Sequence, residues 1–249
     1  MVHSFETVDY KVSEVDFFLG KMISANRNWS EFSYYLSAFL SASRSVTLAL
    51  QHFKSIPDFN DWYDTHQSKL KSDPLARFML KKRNDHVHGG PIPIAGAMFY
   101  QGKSKYRFEG QEEDVVSCCR NYFIELLKIV YDCYVALGVY FDPQQYYTKE
   151  HFAKADQTID DAELEIWGWI MTSHVEEGYD EDDRWHELRG RVGECPINHL
   201  FKGYLDKVTP QPIEPEHFAD FDLSDEEKGW NYIPHGFNSI EEYMKSVKK

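Results

Sequence analysis

Cysteine is scarce, at 4 in 249 residues, so a disulfide scaffold is excluded. Positive charge is also in short supply. Lys and Arg number 27 against 41 Asp and Glu, a formal charge of −14. A chain with that balance does not coat nucleic acid indiscriminately, and any contact with RNA or DNA has to be local. No long apolar run is present. The strongest, from Phe123 to Phe141, is interrupted by Glu125, Lys128 and Asp132 at helical spacing, which marks an amphipathic helix and not a membrane span. The opening residues Met1 to Lys11 carry no apolar stretch of the secretory type. With so few cysteines, a reducing, cytoplasmic setting with free thiols is expected. A Gly-rich phosphate loop, a G-x-S-x-G elbow and an H-E-x-x-H pair are all missing, as are internal repeats and low-complexity tracts.

Aromatic residues are plentiful. Trp 6, Tyr 16 and Phe 17 sit within a hydrophobic fraction of 42%, enough for the core of one large domain or two small ones. The apolar residues recur mostly with helical period. Val15, Phe18, Leu19, Met22 and Ile23 predict a first helix over Val12 to Asn26. Asn28 with Glu31 three residues on forms a capping box for a second. Its stripe is Trp29, Phe32, Leu36, Phe39, Leu40, Ser43, Val46, Leu50 and Phe53. Ala38, Ser41, Ala42 and Ser45 are small enough to admit a close neighbour, and the short link implies an antiparallel pair. A third helix is expected over Asn60 to Leu70. Asp73-Pro74 opens a fourth, which stops at Gly89-Gly90.

The pattern then changes. Ile94 to Tyr100, a turn at Gly102-Lys103-Ser104, and Lys105 to Phe108 read as a β-hairpin. A long helix follows from Glu112 to Leu137, with a boundary near Phe141-Asp142-Pro143. Shorter helices are expected over Thr148 to Met171, Asp182 to Arg189 and Ile197 to Leu205. The stretch from Pro210 to Pro234 reads as irregular, and Ser239 with Glu242 as the start of a last short helix. The whole is a mostly α protein. A helical bundle over 1–140 carries an inserted hairpin at about 91–109, and an acidic helical and irregular extension over 141–249 packs on it.

Charge is unevenly spread. From Gln67 to Glu109, nine basic residues face three acidic ones, a net +6. From Val175 to Gly229, sixteen acidic residues face six basic ones, a net −10. A basic groove for a polyanion and an ordinary solvated basic helix face both fit this distribution.

The basic middle holds Arg83-Asn84-Asp85-His86-Val87-His88. At about 100° per residue, Ala76, Met79, Leu80, Arg83 and Val87 share a stripe, so Arg83 stands where an apolar residue is expected. A guanidinium there needs a partner or a wet groove. Asn84 and His88 lie together on an adjacent face, with His88 about 140° from Arg83. The negative end of the helix dipole at His88 suits a group that carries and donates a proton. A bland alternative is a helix terminus with solvated basic residues, Asp85 pairing with a lysine.

An Arg, a polar residue and a His five positions after the Arg, on a late helix of a bundle, resembles the motif of the HEPN family. The resemblance covers at most residues 10–138. It implies a helical bundle that dimerises so that two motifs line one cleft, and in many members a metal-independent endoribonuclease of toxin, defence or RNA-processing type. By that resemblance Arg83 would hold the scissile phosphate, His88 would act as general acid or base while the ribose 2′-OH attacks phosphorus, and Asn84 would orient one of these groups. Lys81, Lys82, His86, Lys103 and Lys105 would bind the substrate. No metal or cofactor is implied, because the 2′-OH is the nucleophile. The expected partners are RNA, a second copy of the chain and an antitoxin protein, with no membrane. The runner-up is a non-catalytic helical module that binds nucleotide, RNA or a protein.

Other constellations are weaker. His174, His186, Cys195 and His199 offer a metal-dependent hydrolase as a third reading, but the spacing is poor for zinc. Cys118-Cys119 read as core fillers. Asp180 to Asp183 lack the EF-hand pattern and read as a solvated turn. Trp167 and Trp169 read as core or interface residues before base-stacking platforms.

Overall fold

The computed structural model describes residues 4–25, 27–89, 94–100, 103–171 and 181–211, all within one compact unit that ends at Pro212. It is mostly helical with one two-stranded antiparallel sheet, the fold class the periodicity predicts. The expected last helix at Ser239, nearly all of the stretch from Pro210 to Pro234, and His174 and Asp180 lie outside the described residues.

Helix α1 spans Glu6–Ser24 and α2 spans Trp29–Leu50. The two form the expected antiparallel pair. Asn28 Oδ1 accepts the Glu31 amide at 3.3 Å, so the predicted cap is in place. Helix α1 begins earlier than its apolar stripe suggests, because Glu6 opens a turn that buries Val8 and Asp9. Helix α3 is Phe59–Ser72 and α4 is Pro74–Gly89. Asp73 caps α4 through the Ala76 amide at 2.6 Å, with Pro74 at the first helical position.

Strands β1 (Ile94–Tyr100) and β2 (Lys103–Phe108) form the hairpin. Here β2 starts two residues before the expected Lys105, since Lys103 already pairs with Tyr100. Tyr106 and Phe108 turn inward. Tyr106 packs on Trp29 at 4.8 Å and Phe32 at 4.6 Å, and Phe108 on Phe78 at 5.3 Å. These contacts seat the hairpin across the start of α2 and the middle of α4.

Helix α5, Val115–Leu137, is the central element of the bundle. Its face of Val115, Cys119, Phe123, Leu126, Leu127, Val130 and Tyr134 is fully packed. Beyond it, α6 is Pro143–Tyr146, α7 Lys149–Lys154, α8 Ile159–Trp167, α9 Glu181–Val192 and α10 Asn198–Leu205. The single helix expected over Thr148 to Met171 is two helices. Asp156 enters the left-handed region at φ 57°, and Thr158 with Asp161 starts a new capping box.

Two clusters hold these elements. The larger joins α1 to α5 and also takes in Cys195, Ile197, Leu200 and Phe201. Phe5 stacks on Phe141 at 4.0 Å, and Phe201 meets Tyr131 at 5.3 Å. The smaller cluster is Tyr147, Phe152, Ile159, Ala162, Trp185 and Leu188. No helix among the described residues is long and apolar enough to cross a membrane.

Candidate functional site

Helix α4 carries the motif, and its packed face is not the one that apolar spacing predicts. Ala76, Met79 and Lys82 are buried, Arg83 and His86 are half-buried, and Leu80 is 41% exposed. The inner face therefore runs through Lys82, Arg83 and His86 at helical spacing, with polar groups where the stripe calls for apolar ones. The reason is local. The neighbours of this turn are Ser37 on α2 and the ring of Phe78, both of which accept a polar or cationic partner.

His86 Nε2 shares a 2.5 Å hydrogen bond with Ser37 Oγ, which ties the last turn of α4 to the middle of α2. The Lys82 ammonium lies over the Phe78 ring, 5.1 Å from its centroid. Arg83 Nη1 donates to Asn84 Oδ1 at 3.2 Å. The Arg83 Nε is buried and has no hydrogen-bond partner among the described residues. Neither Lys82 nor Arg83 forms an ion pair with a described carboxylate.

The predicted site residues thus fall into groups. Arg83 and Asn84 meet. Lys82 and His86 share the inner face with Arg83. Lys81, Asn84 and His88 are exposed, and no hydrogen bond links His88 to Arg83 or Asn84. Lys105 is on the outward face of the hairpin, 4.0 Å from Asp114, and lines an open groove of about 780 Å³ with Arg107, Glu112 and Glu113. That groove contains none of the α4 motif residues. Lys103 stands opposite Tyr100 in the ladder, and its side chain lies outside the described residues. Ser37 was not singled out by sequence. The small residues on α2 signal a close neighbour but do not say which of them bonds to it.

The alternatives can be located too. Cys195 is buried in the bundle, and His199 is exposed, its Nδ1 3.1 Å from the Pro196 carbonyl. Among the described residues no three His, Cys, Asp or Glu side chains converge as metal ligands. All four cysteines are buried and unpaired, and burial pushes the Cys118 thiol up to about 11. Trp167 and Trp169 stack on each other at 5.3 Å, with the Arg191 guanidinium 5.5 Å from the Trp167 ring.

Residues 4–97 are similar to the family described as bacteriophage lambda protein ea47. The matched segment takes in α1 to α4, the whole Arg83 to His88 motif and the first half of β1. No curated protein and no solved structure matches the chain.

Proposed function

We propose that this protein is a metal-independent endoribonuclease of HEPN type, with its centre on the last two turns of α4. The observation that carries the reading is Arg83. Its guanidinium is half-buried, keeps a buried Nε without a partner, meets Asn84, and faces no described carboxylate. A cation left in that state is stabilised by an anion with two or more oxygens in a plane, and a phosphodiester has that geometry. Buried Lys82 and exposed Lys81 add to the same local charge.

In this reading Arg83 binds the scissile phosphate and stabilises the charge that develops on it. The ribose 2′-OH attacks phosphorus and the 5′-oxygen leaves, giving a 2′,3′-cyclic phosphate and a 5′-OH end. His88, exposed at the helix end, transfers the proton. Asn84 holds the guanidinium in orientation, and His86 anchors the turn through Ser37. The likeness of residues 4–97 to a bacteriophage protein family encloses all of these groups. A toxin or defence role, a homodimer, a protein antitoxin and a cytoplasmic setting are parts of the same proposal.

The test is cleavage of a mixed RNA pool in EDTA by wild type and by Arg83→Ala, His86→Ala and His88→Ala. The expected result is cleavage by wild type, a loss of about 10²-fold or more in Arg83→Ala and in His88→Ala, and a smaller loss in His86→Ala. The separation of His88 from Arg83 favours one second reading, a module that binds RNA or nucleotide without cutting it. RNA binding that depends on Arg83, with no cleavage by any variant, would establish that reading instead.

A further inference from the structure

The open groove of about 780 Å³ beside the hairpin has a chemistry of its own, apart from the α4 motif. Along β2, Tyr106 and Phe108 turn inward, so Lys105 and Arg107 turn outward. Across the ladder these two cations face Met98 and Gly96 of β1. Met98 is 54% exposed, and Gly96 leaves open space where a side chain would stand. A backbone bridge between Arg107 and Asp114 lays the turn before α5 alongside β2, and Glu113 lines the same groove. Cations, a low apolar strip and a carboxylate therefore meet in one place.

The acidic side is not consumed by the cations. Asp114 caps α5, accepting the Val116 and Ser117 amides at 3.1 Å, and lies 4.0 Å from Lys105. Glu113 accepts from Asn121 Nδ2 at 2.9 Å, which orients its carboxylate and leaves further lone pairs to the groove. Arg107 forms no ion pair with a described carboxylate.

We propose that this groove binds one guanine nucleotide, with Arg107 on its phosphate, Met98 against its ring and Glu113 on its base-pairing edge. Guanine is selected by its donors. Its N1–H and N2–H point the same way and match the two oxygens of a carboxylate. Adenine and cytosine offer a single amino group on that edge. Uracil and thymine flank one N–H with two carbonyl oxygens, which a carboxylate repels. The volume of the groove suits a nucleotide, and a thioether packs favourably on an aromatic ring. The same chemistry comes as a free nucleotide or as one residue of a single strand. The inference rests on the groove and not on the ribonuclease reading.

The deoxyhexamers TTGTTT and TTTTTT lack the 2′-OH that cleavage needs, so their binding to the full chain is read without cutting, by fluorescence anisotropy. The wild type is expected to hold TTGTTT about 10-fold more tightly than TTTTTT. Glu113→Gln is expected to bring the two within about 2-fold of each other, and Arg107→Ala to weaken both about 10-fold while keeping the preference. Both side chains are exposed, so neither change removes core packing. Calorimetry with 5′-GMP and 5′-UMP separates the two sources. A preference for the guanine hexamer assigns the site to a strand, and a preference confined to 5′-GMP assigns it to a free nucleotide. No preference in either pair overturns the proposal, as does a preference that survives Glu113→Gln. A groove that takes a mixed-charge peptide and neither kind of nucleotide overturns it too. Loss of the nuclease reading leaves these results intact, because none of them is read from cleavage.

Discussion

At the residue scale, the bundle core holds an acid that would rather be neutral. Burial raises the Asp9 carboxyl from its ordinary 3.8 to about 7, against the hydrogen bonds it accepts from the Tyr134 hydroxyl at 2.9 and 3.0 Å, with the charges of Asp142 and Glu6 adding to the rise. A folded-state value above the unfolded one means that the native state holds this proton more tightly. The stability it contributes is complete below about pH 4 and is lost as pH rises through 7. Asp9→Asn keeps an acceptor for Tyr134 and cannot ionise. Thermal unfolding between pH 4 and 8 should show the wild type losing stability relative to Asp9→Asn as pH rises. A constant difference between the two would contradict the assignment. The same residue scale shows why the motif was only partly legible. Arg83 and Asn84 were recognisable by spacing. Apolar periodicity gave the inner face to Leu80, because it counts only apolar side chains and cannot see that Lys82 and His86 pack inward over Phe78 and against Ser37.

At the element scale, caps and stripes carried the reading. Asn28, Asp73 and Gly89 marked helix ends by chemistry that acts within one turn, and the structure keeps each boundary within a residue. The hairpin was visible from two short runs about the turn at Gly102-Lys103-Ser104. The break between α7 and α8 was not, since Asp156 adopts the left-handed conformation without a glycine to announce it. Helices α8 and α9 share a buried ion pair. Arg184 donates to Glu163 at 2.7 and 2.9 Å, and Glu163 also accepts the Met171 amide at 2.7 Å. Glu163 is fully buried. Removing Arg184 leaves the buried Glu163 charge without compensation. Arg184→Ala should therefore cost about 3–5 kcal/mol, measured by denaturant unfolding. Arg184→Ala paired with Glu163→Leu should recover much of it. Equal losses in the single and double variants would show that the cost does not come from an uncompensated Glu163 charge.

At the scale of the whole molecule, the segment from Cys195 to Leu205 shares the core of the bundle. Phe201 is fully buried against Tyr131 and Tyr134, and the Tyr204 hydroxyl donates to Asp16 on α1 at 2.6 Å. Phe201→Ala is expected to cost about 3–5 kcal/mol and to leave a single unfolding transition, because α10 and α5 bury one surface. Two separated transitions would mean that the C-terminal helices fold on their own. Charge asymmetry was readable from sequence at this scale, while the joining of Ile197 and Phe201 to the bundle was not. Those contacts link residues far apart in the chain, and periodicity reports only which face is apolar, never what covers it.

The central claim is that Arg83 works on a phosphodiester. The most direct measurement is end-group analysis of RNA incubated with wild type and Arg83→Ala in EDTA. The account predicts 2′,3′-cyclic phosphate and 5′-OH ends from wild type and none above background from Arg83→Ala. Ends of the same kind and amount from both proteins would contradict it.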